Sequence, residues 1–545
     1  MKHNRLFLTT FYSIFFLIGF FTFKDYGIGI EEIFQRASSF YWIKFILDFT
    51  NFEQLKNLSN LKLLEVYNLN PELPKVTQNL AYGIAFDLPS GLIELLLNFD
   101  KFSDNIYLKH FLSFIVFLIS AVCFSLLLIK RFSNFYVTFF GSLAYCFSPK
   151  IYGASFFDGK DLLFLSLFTI TIYFYQRFEN KKKLLSLIIF SLFAAFLTSS
   201  RPPGLMVPIS FIFIYFFKVL SGDEIRKNLN TLLIFILSYL IFIYLHWPLF
   251  WDFFNYNLKE MYTYANVTFF FDGEFYKQRS LPISFIPKWI LISTPLFILI
   301  LFASGLLLAL RRFFLRLISI KENIEKSYKF DFWRSKKEEA DFLILLCFFQ
   351  TIIIYLTFDE KLTASWRHFF FFHFFLVFYL SFFIHYICLF LKSLKIKIFL
   401  SIILLIFNLE IIYKLYIYHP FQYSYFNNLL SKNEKLKYER DTVHLSRLDA
   451  MRDIISNANE NELIKIGNAS ASPLIDVLLM FPSEQIKKVQ LIGNDNLETA
   501  DYIYTNYIYE INTNYNKKYE IPINFKLYKS VEKDDTLIYS IYKKK

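Results

Sequence analysis

Two glutamates stand side by side at Glu31-Glu32, directly after an apolar stretch and the run Tyr26-Gly27-Ile28-Gly29-Ile30. Adjacent carboxylates at a membrane surface repel one another, which can raise the proton affinity of one and make it a usable general base. A solvated acidic pair at a helix end is the structural alternative for the same residues. A second concentration lies between Ser148 and Asp161, where Asp158, Lys160 and Asp161 interrupt two almost uniformly apolar stretches. Charge at the end of a span is costly unless paired or wet, although Lys160 and Asp161 would also serve to cap the next helix and anchor it at the interface. Arg201, in Arg201-Pro202-Pro203-Gly204, and Trp366-Arg367-His368 add cations. The planar fork of Arg suits phosphate oxygens and keeps its charge. A His at a span end is commonly an interfacial anchor, but beside Arg367 it is a candidate donor to phosphate. Such a set suits a reaction in which a lipid-linked phosphate leaves: carboxylate deprotonates an attacking hydroxyl or amine, and cations hold the charge that develops.

These residues need a frame, and composition supplies its class. Of 545 residues, 55% are hydrophobic and 19% charged, and the mean hydropathy is +0.39. A soluble protein of this size must wet its exterior and cannot hide so much apolar surface. The net charge of +12 does not imply nucleic acid, because the basic residues sit between apolar runs, where they orient helices. At about 20 apolar residues per crossing, spans are expected near 6–23, 108–129, 133–149, 162–176, 184–200 and 204–219. Others are expected near 229–246, 286–310, 341–358, 369–391 and 397–417, about eleven in all. The first is read as uncleaved, since Lys24-Asp25-Tyr26-Gly27 replaces the small-residue site of a signal peptide.

The basic connectors Lys130-Arg131, 177–183, Arg226-Lys227, 311–337 and 392–397 fall on one side if the N-terminus is inside, and the positive-inside rule makes that side the cytoplasm. The opposite side receives 24–107, the turn at 150–161, 247–285, the connectors at 201–203 and 359–368, and the tail. The candidate chemistry therefore gathers on the non-cytoplasmic face. Residues 1–430 are expected as a multi-span unit with external loops 24–107 and 247–285, and 431–545 as a small extracytoplasmic α/β domain. Its expected strands are 463–466, 489–492, 502–504, 525–528 and 536–542, with helices over 446–456 and 473–480. This tail lacks a phosphate loop or nucleophile elbow, so support or acceptor binding is expected of it. Cys123, Cys146, Cys347 and Cys388 lie in apolar runs and imply no disulfides. The eight His form no HExxH pair. No metal or cofactor is expected, although carboxylates can hold a divalent ion without a recognisable spacing.

The segment Tyr26-Gly27-Ile28-Gly29-Ile30-Glu31-Glu32-Ile33-Phe34-Gln35 resembles the first-loop motif of bacterial relatives of protein O-mannosyltransferases. It is also similar to that of other phospholipid-carrier-dependent glycosyltransferases, including the aminoarabinose transferases that act on lipid A. Further blocks resemble the family in order: Tyr82 to Pro89, Ser148 to Asp161, Phe271 to Tyr276 with Leu281-Pro282 and Thr294-Pro295, Trp366-Arg367-His368, and His419 to Asn427. The resemblance covers most of 20–445. It implies a polytopic α-helical membrane protein of the C-type glycosyltransferase fold in a bacterial inner (plasma) membrane. It also implies a polyprenyl-phosphate-sugar donor and inversion at the anomeric carbon. On the family pattern Glu31 is the expected base, with Glu32 orienting it or the acceptor. Lys160, Arg201, Arg367 and His368 are expected on the carrier phosphate, with Asp158 and Asp161 positioning sugar or cations. Three departures stand out: Glu31 for the usual Asp, a shift of about 1 Å; Asp158-Gly159 for Asn-Pro; and Asp441-Thr442-Val443-His444 for Asp-Tyr-Trp-Gly. The alternatives are a transporter or flippase of lipid-linked sugars, or a non-catalytic envelope assembly protein. Sugar and acceptor are not legible.

Overall fold

The computed structural model describes all residues except 1, 70–72, 74–75, 77–81, 223, 252–267, 319–331, 334, 358–364, 458–462 and 510–517. Parts of the expected external loops 24–107 and 247–285, of the connector 359–368 and of the basic stretch 311–337 lie outside the described residues. The chain is a polytopic α-helical membrane protein with a small sheet domain at its C-terminal end. Among the described residues, seven helices are long and apolar enough to cross a bilayer: Phe102–Phe132, Pro202–Leu220, Ile225–His246, Leu296–Leu317, Lys336–Thr357, Phe372–Phe390 and Leu394–Tyr418. Shorter apolar helices run over Leu6–Thr22, Phe135–Phe147 and Leu184–Ser200, and Asp161–Lys181 is a further helix, buried along most of its length.

The expected single span over 286–310 is two helices, Phe285–Ser293 and Leu296–Ile318. Pro295 explains the break: it has no N–H to donate, and its ring pushes the preceding residue out of the helical region. Thr294 accordingly sits at φ −112°, ψ 139°. The carbonyls released at the break are satisfied by Asn427, whose Nδ2 donates to Leu291 O at 2.6 Å and to Thr294 O at 2.7 Å. Its backbone N–H donates to Ile292 O at 2.8 Å.

At one end of the bundle, Arg131 pairs with Asp341 at 2.6 Å, and Arg312 joins the same carboxylate at 2.6 Å. Glu179 holds Lys182 at 2.5 Å and Lys218 at 3.4 Å, and Lys218 also meets Glu339. The basic connectors near 130, 180 and 312 therefore share one end.

In the C-terminal domain we label the strands after a first hairpin in the membrane unit. That hairpin pairs β1 (Thr268–Phe271) with β2 (Glu274–Lys277). The domain's strands are β3 (Ile464–Asn468), β4 (Val489–Ile492), β5 (Tyr502–Thr505), β6 (Phe525–Lys533) and β7 (Thr536–Lys544), in the order β4-β3-β5-β7-β6. Strand β3 runs parallel to β4 and β5, while β7 is antiparallel to β5 and β6. The β6–β7 turn places Asp534 at φ 49° and Asp535 at φ 59°, the pair of positive angles that matches the twist of a two-residue hairpin. Helix Ser446–Ser456 packs on this sheet, burying Leu448, Met451 and Ile454.

Candidate active site

Each charged side chain of the cluster is set by the end of an element. Glu31 immediately precedes helix Glu32–Leu47. Asp158 follows helix Pro149–Phe157, and its Oδ1 accepts the N–H of Asp161 at 2.7 Å and of Lys160 at 3.2 Å. That turn fixes the start of Asp161–Lys181, the use expected of short acidic side chains at turns. Arg201 ends Leu184–Ser200 in an extended conformation, φ −156° and ψ 139°, imposed by Pro202. Arg367 lies on the short helix Arg367–Phe369, held where Trp366 Nε1 donates to Ser293 Oγ at 2.8 Å, beside the Pro295 break.

These ends converge. Arg367 Nη2 binds Glu31 Oε1, and Lys160 Nζ lies 3.7 Å from Glu31 Oε2. Asp161 bridges the other cations: Arg201 Nη2 meets its Oδ1, and Arg367 Nε is 3.5 Å from its Oδ2. The Asp161 side chain is fully buried, whereas Glu31 remains one-third exposed, at 33%. Lys160 Nζ sits 4.6 Å from the centre of the Tyr82 ring and 5.3 Å from that of Phe34, and the Arg201 guanidinium is 5.7 Å from that of Tyr82. Three acids thus face three cations in an aromatic frame.

The electrostatics follow from burial and these charges. Desolvation pushes the Glu31 carboxyl up, but Arg367, Lys160 and Arg201 outweigh it and hold the group well below the usual carboxylate range. Burial and the neighbouring Asp161 charge push Asp158 up to about 7. Arg367 is raised, the carboxylates of Glu31 and Asp161 overcoming the cost of burying it.

Of the eight residues singled out in the sequence, six come together: Glu31, Asp158, Lys160, Asp161, Arg201 and Arg367. Glu32 turns away. Its Oε2 accepts the N–H of Gly29 at 2.6 Å, and its Oε1 lies 2.9 Å from His110 Nε2, so it shapes the loop that carries Glu31. His368 is half-buried on the same short turn as Arg367, and the contacts that join the cluster run through Arg367. Among the described residues no group of three or more His, Cys, Asp or Glu comes together as a metal ion would require.

Three neighbours went unread. Asp87 begins helix Asp87–Leu97; burial pushes its carboxyl up, against the pull of Lys109 and Lys160 and a hydrogen bond from Ser38. Lys150 is 2% exposed, with Nζ 4.5 Å from the Tyr423 ring centre and 5.3 Å from that of Trp289. Burial brings it down to about 7. His444, from the C-terminal domain, is lowered to about 3 by burial and by the charges of Arg447 and Arg367. The turn residues beside Lys150, the family-like block around Asp87 and the departure at Asp441-Thr442-Val443-His444 were the signals in the sequence.

No protein-family model matches the chain, and no curated protein matches it in sequence. Among solved structures the chain is similar to ArnT from Cupriavidus metallidurans in the apo state, with a TM-score of 0.44 and 7% identity over 99% of this chain and 98% of that one. It is also similar to ArnT from Cupriavidus metallidurans bound to undecaprenyl phosphate, with a TM-score of 0.41 and 8% identity over 98% of this chain and 97% of that one.

Proposed function

We propose that this protein is an inverting glycosyltransferase of the C-type fold. It would move a sugar from a polyprenyl-phosphate carrier to an acceptor hydroxyl or amine on the non-cytoplasmic face. On this reading 1–430 is the membrane-embedded catalytic unit, with its N-terminus cytoplasmic, and 431–545 is extracytoplasmic. The observation that carries the reading is the Glu31–Arg367–Asp161–Arg201 chain of ion pairs with Lys160 at its side, at the ends of apolar helices. The ordered family-like motifs in the sequence support it.

The cluster as it stands is charge-compensated, and this defines the mechanism. Glu31 is a weak base while Arg367 holds it. A phosphate entering the site competes for Arg367, Lys160 and Arg201, and a carboxylate that loses its cation gains proton affinity. Donor binding therefore releases Glu31 as a base for the acceptor, on the face of the sugar opposite the leaving phosphate. The same cations stabilise the phosphate charge as the glycosidic bond breaks.

The test uses the purified protein in detergent with a panel of radiolabelled polyprenyl-phosphate sugars and crude envelope acceptors. Loss of label from one donor by the wild type and its absence in Glu31→Gln, with folding intact, is the expected result. Turnover by Glu31→Gln at a near wild-type rate would overturn the assignment of the base. Failure of folded wild type to consume any donor would favour transport or assembly instead.

A further inference from the structure

The loop that carries the two adjacent acids is gripped by the C-terminal domain. Arg447 is fully buried, and its guanidinium serves three backbone carbonyls. Its Nη2 donates to Ile28 O at 2.9 Å, its Nε to His444 O at 2.8 Å and its Nη1 to Pro473 O. Asp476 lies 3.8 Å from Nη1 and supplies the countercharge. One residue before Ile28, a Cβ added to Gly27 would lie 2.3 Å from the carbonyl oxygen of Leu445. Backbone meets backbone there, and no side chain fits. From Ile28 the chain runs through Gly29, whose N–H is held by Glu32, to Glu31.

The gripping turn is itself braced. Asp441 accepts the N–H of Leu445 at 2.9 Å, the N–H of Ser446 at 3.0 Å and its hydroxyl at 2.6 Å. Tyr504 on β5 shares a 2.7 Å hydrogen bond with the same Ser446 hydroxyl. His444 adopts φ 62°, left-handed and unusual for a side chain of its size, and its N–H donates to Asp441 O at 2.9 Å. The turn ties sheet, helix Ser446–Ser456 and the acidic loop into one hydrogen-bonded unit.

We infer that Arg447 is a positioning residue, through which the C-terminal domain fixes the 26–32 loop and so holds Glu31 against Arg367 and Lys160. The inference rests on the reading of Glu31 as the base. The three carbonyls are met from three separate atoms of the planar fork, an arrangement that the single Nζ of lysine does not reproduce.

Two full-length variants test it from opposite sides of the contact: Arg447→Lys, and Gly27→Ala, which leaves the domain intact should Arg447→Lys fail to fold. Two readouts are taken, donor turnover and hydrogen exchange of the amides at 27–32, with exchange in β3–β7 reporting the fold of the domain. Expected are faster exchange at 27–32, unchanged exchange in the strands, and a kcat lowered about 10- to 100-fold, the cost of an ångström-scale misplacement, with donor KM within about twofold. Unchanged exchange at 27–32, a kcat within about twofold of wild type, or a loss confined to KM would overturn the proposal. If wild type consumes no donor, the glycosyltransferase reading fails and the exchange result alone decides the clamp.

Discussion

Lys150 and Asp158 bracket one short helix, and burial drives each toward its neutral form. The lysine comes down from 10.5 to about 7 and the aspartate goes up from 3.8 to about 7. Their effects on stability have opposite signs. Between pH 3.8 and about 7 the folded protein keeps the Asp158 proton that the unfolded chain has lost, so this group's contribution falls as pH rises. Between about 7 and 10.5 the unfolded chain binds the Lys150 proton that the folded protein lacks, so stability rises with pH. In detergent melting series, Asp158→Asn should remove a downward slope below pH 7, and Lys150→Met an upward slope above it. Parallel curves for variant and wild type would refute the corresponding assignment. The sequence distinguished Asp158 as an acid at a span end. It gave no reason to single out Lys150, because what sets Lys150 apart is its burial against Trp289 and Tyr423, residues distant in the chain.

Elements were legible to the degree that their signal is local. The apolar runs marked the helices, since bilayer thickness fixes their length, and the short apolar runs after residue 460 marked the strands. The break at Pro295 escaped because hydropathy does not register a missing N–H. Close approach between helices also escaped. Gly305, in Leu296–Ile318, has so little room that a Cβ would lie 1.9 Å from the carbonyl oxygen of Tyr379 in Phe372–Phe390, and the Cβ of Phe383 would be 3.3 Å away. Small residues let membrane helices approach in this way. Gly305→Ala should therefore force the two helices apart and lower stability by about 1–3 kcal/mol. Gly493→Ala, where nothing lies within 4 Å of the added atom, should melt like wild type. Equal melting of both variants would mean that the helices reseat without cost.

On the scale of the whole molecule, charge is sorted to two ends: the Arg131–Asp341–Arg312 and Glu179–Lys218–Glu339 groups at one, the Glu31–Arg367–Asp161–Arg201 chain at the other. This sorting was readable from the alternation of connectors, which is why six of the eight candidate residues converge although they are spread from 31 to 367. Asp87, His444 and Arg447 were not readable as neighbours, because contacts across hundreds of residues leave no spacing in a single sequence. If the basic end faces the cytoplasm, single cysteines placed at Lys181 and at Asp495, in a background freed of Cys123, Cys146, Cys347 and Cys388, should label oppositely. An impermeant maleimide on sealed, right-side-out vesicles should reach Asp495→Cys and spare Lys181→Cys. The reverse pattern would invert the proposed orientation.

The contact between Arg447 and Ile28 spans 419 positions of the chain. At about 5–20 residues per second, a ribosome needs roughly 20–80 s to travel from one partner to the other. For that interval the acidic loop has been made while the arginine that holds it does not yet exist. The nascent protein is thus assembled with its acidic loop unfastened at Ile28, and that fastening comes only after the last of the long apolar helices, Leu394–Tyr418, has been made. A ribosome stalled after the last helix but before that arginine leaves a membrane bundle whose acidic loop lacks the Ile28 contact.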